Sequence, residues 1–119
     1  MVPPRPVVHI EYPDWVDDVV DWTRRYESDR DRMRLAIAIS RENVARSSGG
    51  PFGAAIFESD SGVPVAVGMN SVVRLKNCTL HGEMFAFMMA QQRIGSFTLN
   101  APGSPEHTRS GLWSARRDR

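Results

Sequence analysis

Apolar and polar positions divide the chain into blocks of different period. Residues 1–13 carry Pro3, Pro4, Pro6 and Pro13 and predict an extended arm. From Asp14, an N-cap candidate, to about Tyr26, the residues Trp15, Val19 and Trp22 recur at i, i+4 and i+7. Asp17, Asp18 and Asp21 fill the other side, which predicts a peripheral amphipathic helix. A second helix is expected from Asp29 to about Arg46. Met33, Ala36, Ile37, Ser40 and Val44 form its main stripe, and Leu35 and Ile39 widen it. Its charged opening, Asp29 to Arg34, reads as a solvated entry, and Ser47-Ser-Gly-Gly50 as a breaker.

The period then changes. Pro51-Phe-Gly-Ala-Ala-Ile-Phe-Glu58 is small and apolar throughout, as a strand buried on both faces would be. Ser59-Asp-Ser-Gly62 predicts a turn, and Val63 to Val73 the partner strand of a hairpin. Pro64 must then lie near that strand's start or on an edge. A third helix follows from a polar lead-in that either Asn77 or Thr79 could cap. It carries Met84, Phe85, Phe87, Met88 and Met89, apolar on almost every face, and ends near Arg93-Ile-Gly95. Such a helix belongs in the middle of a domain. Ser96 to Leu99 reads as a short extended piece and Asn100 to Pro105 as a loop. Residues 106–119 hold neither a helical nor a strand period and predict a disordered basic tail with Arg109, Arg116, Arg117 and Arg119.

Composition narrows the class. With 119 residues the chain has material for a single core, and its 41% hydrophobic and 24% charged residues are those of a soluble globular protein. A net charge of +1 argues against a dedicated nucleic-acid surface. The one cysteine, Cys78, excludes an intrachain disulfide and fits a reducing cytoplasm. No segment has the pattern of a signal peptide or the length to span a membrane. The expected organisation is an arm with a peripheral helix over 1–28, a domain over 29–105, and the tail.

Candidate chemistry lies at the start of the third helix, where His81 and Glu83 occupy the first turn. Two residues apart on a helix point roughly 200° from each other. Both side chains nevertheless lean towards the open N-terminus and can meet there. A His-x-Glu pair also occurs as an ordinary solvated helix start, so the neighbouring motifs have to decide.

Those motifs are Gly50-Pro-Phe-Gly-Ala-Ala55 opening the first strand, Val67-Gly-Met-Asn70 in the second and His81-Gly-Glu83 opening the helix. In this order they resemble the cytidine deaminase-like superfamily, over about Asp29 to Pro105. The likeness is greatest to the branch of guanine, tRNA-adenosine and nucleoside deaminases. The resemblance implies an α/β fold, the N-terminal portion of a three-layer α-β-α sandwich. It implies zinc-dependent hydrolytic deamination of a nucleobase or nucleoside, with purines favoured. His81 would be the zinc ligand and Glu83 the proton shuttle, while Asn70 would read a polar edge of the substrate. Phe52 would line the base pocket, and Gly53 and Ala54 would allow close approach to the backbone. Asn70 also reads as a turn residue at a strand end, and Phe52 as core.

The family's other two zinc ligands come from a Pro-Cys-x-x-Cys at a later helix start, which this sequence does not contain. Cys78 is a doubtful substitute. A catalytic zinc takes three protein ligands and a water, so zinc binding by this chain is predicted to be weak and turnover slight or absent. The later strands of the sheet are missing too, as in a truncated or frame-shifted product. That predicts an exposed sheet edge able to support a homodimer or another association. A non-catalytic module for ligand binding or protein association is the alternative reading.

Overall fold

The computed structural model describes residues 1–99 in full and the backbone course of residues 110–116. Ser28 begins the first substantial element. Its hydroxyl accepts from the Asp31 N–H at 3.1 Å and caps helix α2, Asp29–Ala45. Asp29 and Asp31 in the first turn complement the helix dipole. The helix buries Leu35, Ala36, Ile39, Ser40 and Asn43. The stripe read from sequence is therefore rotated: Leu35 and Ile39 are central, whereas Val44 is 42% exposed.

The peripheral helix is much shorter than expected. Helix α1 covers only Val16–Val19, with Trp15 rather than Asp14 at its N-cap. Val20 is already extended, and the Asp21 carboxylate accepts from both the N–H and the hydroxyl of Thr23. An aspartate that can bond the backbone two residues on offers the chain a turn in place of a helix. The apolar residues are still used, since Trp15, Val16 and Val20 are buried in the core.

Strands β1, Phe52–Glu58, and β2, Pro64–Met69, form an antiparallel hairpin with Ala55 opposite Val67 and Ala54 opposite Gly68. Gly53 to Phe57 and all of β2 are buried, as a two-sided apolar pattern requires. Pro64 opens β2, which is an edge strand, so its missing N–H disturbs no ladder. The strand ends at Met69, and residues 72–76 turn, so β2 is shorter than the sequence suggested. Strand β3, Ser110–Arg116, pairs antiparallel with the other side of β1 and gives the order β2-β1-β3. A strand thus runs through the stretch read as a disordered tail. Its period is uninformative because the open edge of β1, rather than an amphipathic face, provides the partner groups. The loop expected over 100–105 lies outside the described residues, as do residues 106–109 and 117–119 of the tail.

Helix α3, Gly82–Ile94, ends on Gly95 in the left-handed conformation at φ 69°. Its N-cap is His81, with no side-chain cap bond. Asn77 instead accepts from the N–H and hydroxyl of Thr79 one turn earlier. Phe85, Ala86 and Ala90 are buried, but Met84 is 47% exposed, so the helix is central on one face only. Residues 96–99 bend under α3, with Ser96 N–H donating to the Gln91 carbonyl, and do not form a strand.

Successive strand positions face opposite sides, which puts α2 and α3 on different faces of the sheet. Gly53 meets the backbone of α2, where a Cβ would lie 2.5 Å from the Ala36 carbonyl oxygen. Gly68 meets α3, where a Cβ would lie 2.0 Å from the Gly82 carbonyl oxygen. One core gathers Leu35, Ile39, Ala55, Phe57, Val67, Met69 and Phe85, and the other Ala54, Ile56, Ala66, Ala86 and Ala90. This is the layered N-terminal part of an α-β-α sandwich.

The outer edge of β2 is closed by side chains. The Tyr12 hydroxyl donates to the Val67 carbonyl at 2.9 Å and accepts from the Val67 N–H at 3.1 Å. The Arg93 guanidinium donates to the carbonyls of Pro64 and Val65. Tyr12 and Arg93 both pack on Trp22.

Candidate functional site

The site lies where β1 begins and β2 ends. Asn70 follows β2 directly, and its N–H donates to the Phe52 carbonyl at 3.3 Å, which carries the hairpin pairing one step beyond the strand. The next residue, Ser71, donates its N–H to the Leu80 carbonyl at 2.9 Å. That bond folds residues 71–80 into a closed loop and brings His81 back beside the end of β2. Gly82 then packs on β1, within 3.8 Å of Phe52 and Gly53 when its missing Cβ is built. Three segments that are apart in sequence thus meet at one end of the sheet.

Each expected residue has a definite place here. Phe52 opens β1, and its ring lies beside Gly50, as does the Asn70 carboxamide; both are within 4 Å of a Cβ built there. Gly53 and Ala54 are buried under the helices. His81 is exposed at the N-cap of α3, and Glu83 is half-buried in its first turn. The helix dipole favours a carboxylate at that end, and the imidazole is not spent on capping. The structure brings Phe52, Asn70 and the His81–Glu83 turn together. Cys78 is an exposed free thiol.

Two residues of the site were not singled out from sequence. Asn43, fully buried at the end of α2, donates from its side-chain nitrogen to the carbonyls of Gly50, at 2.9 Å, and Asn70, at 3.0 Å. Arg74 donates to the Ser71 hydroxyl and to the Glu11 carbonyl, tying the loop after Asn70 to the N-terminal arm. Burial holds its guanidinium below the usual arginine range, with Glu11 and Asp14 acting in the other direction. Nothing local in the sequence marks either residue, because their partners across the fold lie 27 and 63 residues away.

A family model for the cytidine and deoxycytidylate deaminase zinc-binding region matches residues 26–102. The chain belongs to that deaminase family. Among solved structures it is similar to a guanine deaminase from Nitrosomonas europaea, with 29% identity and a TM-score of 0.82 over 96% of this chain and 60% of the other. A structure solved in complex with 2,6-diaminopurine is 31% identical, with a TM-score of 0.82 over 92% of this chain and 56% of the other. A tRNA:A34 deaminase, which edits adenosine to inosine at the wobble position, is 25% identical with a TM-score of 0.57 over 73% of this chain and 59% of the other. The chain therefore spans at most about 60% of the length of these relatives. A comparison with curated proteins gives no match.

The family implies zinc, and the described residues do not complete a site for it. They contain no group of three His, Cys, Asp or Glu side chains able to share a metal ion. His81 and Cys78 would give two ligands at most, short of the three a catalytic zinc takes. Among the described residues, no helix is long and apolar enough to cross a membrane.

Proposed function

We propose that this chain carries the base-recognition half of a purine-type nucleobase deaminase, together with its proton-carrying glutamate. The observation that supports this most directly is the meeting of Phe52, Asn70 and the first turn of α3 at one end of the hairpin. An aromatic ring and a carboxamide flanking Gly50 suit a flat heterocycle, the ring by stacking and the amide by hydrogen bonding to a polar edge. The guanine deaminase relative and the 2,6-diaminopurine complex favour a purine.

Hydrolytic deamination adds water to the carbon bearing the amino group, places a proton on the ring nitrogen and expels ammonia. Glu83, at the open end of α3, is the group on this chain suited to moving that proton. His81 would be one ligand of the family's zinc. With the ligand set incomplete among the described residues, no turnover is assigned to the chain by itself.

Two measurements on the 119-residue protein test the reading. Calorimetric titration should give saturable binding of 2,6-diaminopurine, weakened about tenfold by Asn70→Ala, with cytosine binding more weakly. Cytosine binding as tightly as the purine, or no purine binding at all, would overturn it. With added zinc, no ammonia should be released from guanine, adenosine or cytosine. Release that disappears in Glu83→Ala would show that the missing ligands come from elsewhere.

A further inference from the structure

We propose that Asn43, which is fully buried and cannot touch a bound base, is the positioning residue that sets the reading group of the site. The proposal rests on the assignment of Asn70 as that group. Asn43 holds two elements at once. Its main-chain carbonyl accepts from the N–H groups of Ser48 and Gly49 and shapes the turn after α2. Any residue would supply that carbonyl. The side chain does something separate: its amide nitrogen bonds the carbonyls of Gly50 and Asn70 together. Gly50 stands between the Phe52 ring and the Asn70 carboxamide, so this one amide sets the spacing of both groups that would grip the base.

The orientation of the amide is fixed by its partners. Turned over, its oxygen would face two carbonyl oxygens. As it stands, Asn43 Oδ1 is buried with no partner among the described residues. An orphaned acceptor is costly, and an apolar residue would avoid it. The arrangement requires two N–H donors from one atom in a tight space. A Cβ at Gly49 would come within 2.9 Å of that nitrogen and 2.2 Å of the Asn70 carbonyl oxygen. Ser or Thr offers a single donor, Asp at neutral pH offers none, and Gln is one methylene longer. With its N–H on Phe52 and its carbonyl on Asn43, the Asn70 backbone is held from both sides. Its carboxamide oxygen accepts from the Val72 N–H at 3.4 Å, a long local bond, so the aim of the carboxamide rests chiefly on that backbone.

A double-mutant cycle separates positioning from general support. 2,6-Diaminopurine is titrated into the wild type, Asn43→Ala, Asn70→Ala and the double variant. Asn43→Ala should weaken binding about tenfold in the wild-type background and by less than about twofold in the Asn70→Ala background. Losses that simply add would overturn the proposal. A second measurement needs no ligand. In the free protein the Asn70 side-chain amide should give an ordered NMR signal that becomes mobile in Asn43→Ala, while signals from Trp15 and Phe57 stay in place. An Asn70 amide equally ordered in the folded variant would overturn the proposal even if no purine binds, whereas failure of wild-type binding alone would count against the functional reading. If Asn43→Ala does not fold, Asn43→Ser carries the same cycle, with its single donor giving an intermediate loss; full wild-type affinity and Asn70 order in that variant would likewise overturn it.

Discussion

The two ends of the β1–β2 hairpin are built on opposite plans. At the end near the site, glycines let helix backbone lie directly on strand backbone: Gly53 under α2, Gly68 under α3, and Gly82 against the start of β1. At the turn end, large side chains fill the space. Phe57 is fully buried, its ring is 5.3 Å from that of Tyr26, and Arg32 lies over it. Gly62, at φ 72°, closes the turn and accepts from the Tyr26 N–H. Backbone-on-backbone contact buries little apolar area per residue but admits only one spacing. Side-chain contact buries much more apolar area. One end therefore supplies cohesion and the other supplies position.

Phe57→Ala breaks the cohesive end and should have the largest effect on stability, a loss of about 3–5 kcal/mol. Urea unfolding should register it. Where the variant stays folded, its affinity for 2,6-diaminopurine should be within about twofold of wild type, because the site is at the other end of the strand. Gly68→Ala attacks the positional end. Its Cβ would fall 2.0 Å from the Gly82 carbonyl oxygen, so α3 must move off the sheet. The stability cost should be smaller, about 1–3 kcal/mol, typical of overpacking. Purine binding should nevertheless be lost, because the first turn of α3, which packs through Gly82 on Phe52, is displaced from the site. Equal damage to binding from both variants would erase the contrast.

A smaller effect comes from the flank of the hairpin. Burial pushes the Tyr12 hydroxyl from 10.0 up to about 12, opposed by its bond to Val67. The folded protein thus holds this proton to higher pH than the unfolded chain does. Its stabilising contribution is complete below about pH 10 and drains away between pH 10 and about 12. The expected decline is at most about 1.4 kcal/mol per pH unit for one group. Tyr12→Phe should cost about 1–2 kcal/mol at neutral pH and flatten that decline. Thermal melts of both proteins across the alkaline range would check this.

The segments that meet at the candidate site were the most legible. Gly50-Pro-Phe-Gly, Asn70 and His81-Gly-Glu83 stand out because glycine, a strand-end amide and a helix-start carboxylate each have few reasons to be where they are. The span of helix α2 followed from its period and its Ser47-Ser-Gly-Gly50 breaker, and the hairpin from two apolar runs around a turn signal. Asn43 was not legible, since an asparagine in a last helical turn looks solvated until two distant carbonyls are brought to it. Helix α1 was overextended because the Asp21–Thr23 turn competes with a helical pattern that the tryptophans satisfy either way. The strand at 110–116 escaped notice because the edge it pairs with, rather than its own alternation, defines it.

The seal over the outer edge of β2 also has a consequence in time. Tyr12 and Val67 are 55 residues apart, whereas the hairpin joins close neighbours such as Phe57 and Pro64. Hairpins close within about 1–10 μs, and long loops carry a larger entropic cost. Local pairing is therefore expected to precede docking of the arm. During each folding event the outer edge of β2 passes through an interval with its backbone groups uncovered, open to another chain at high concentration. On this order of events the proline-rich arm is the last guard to take its post.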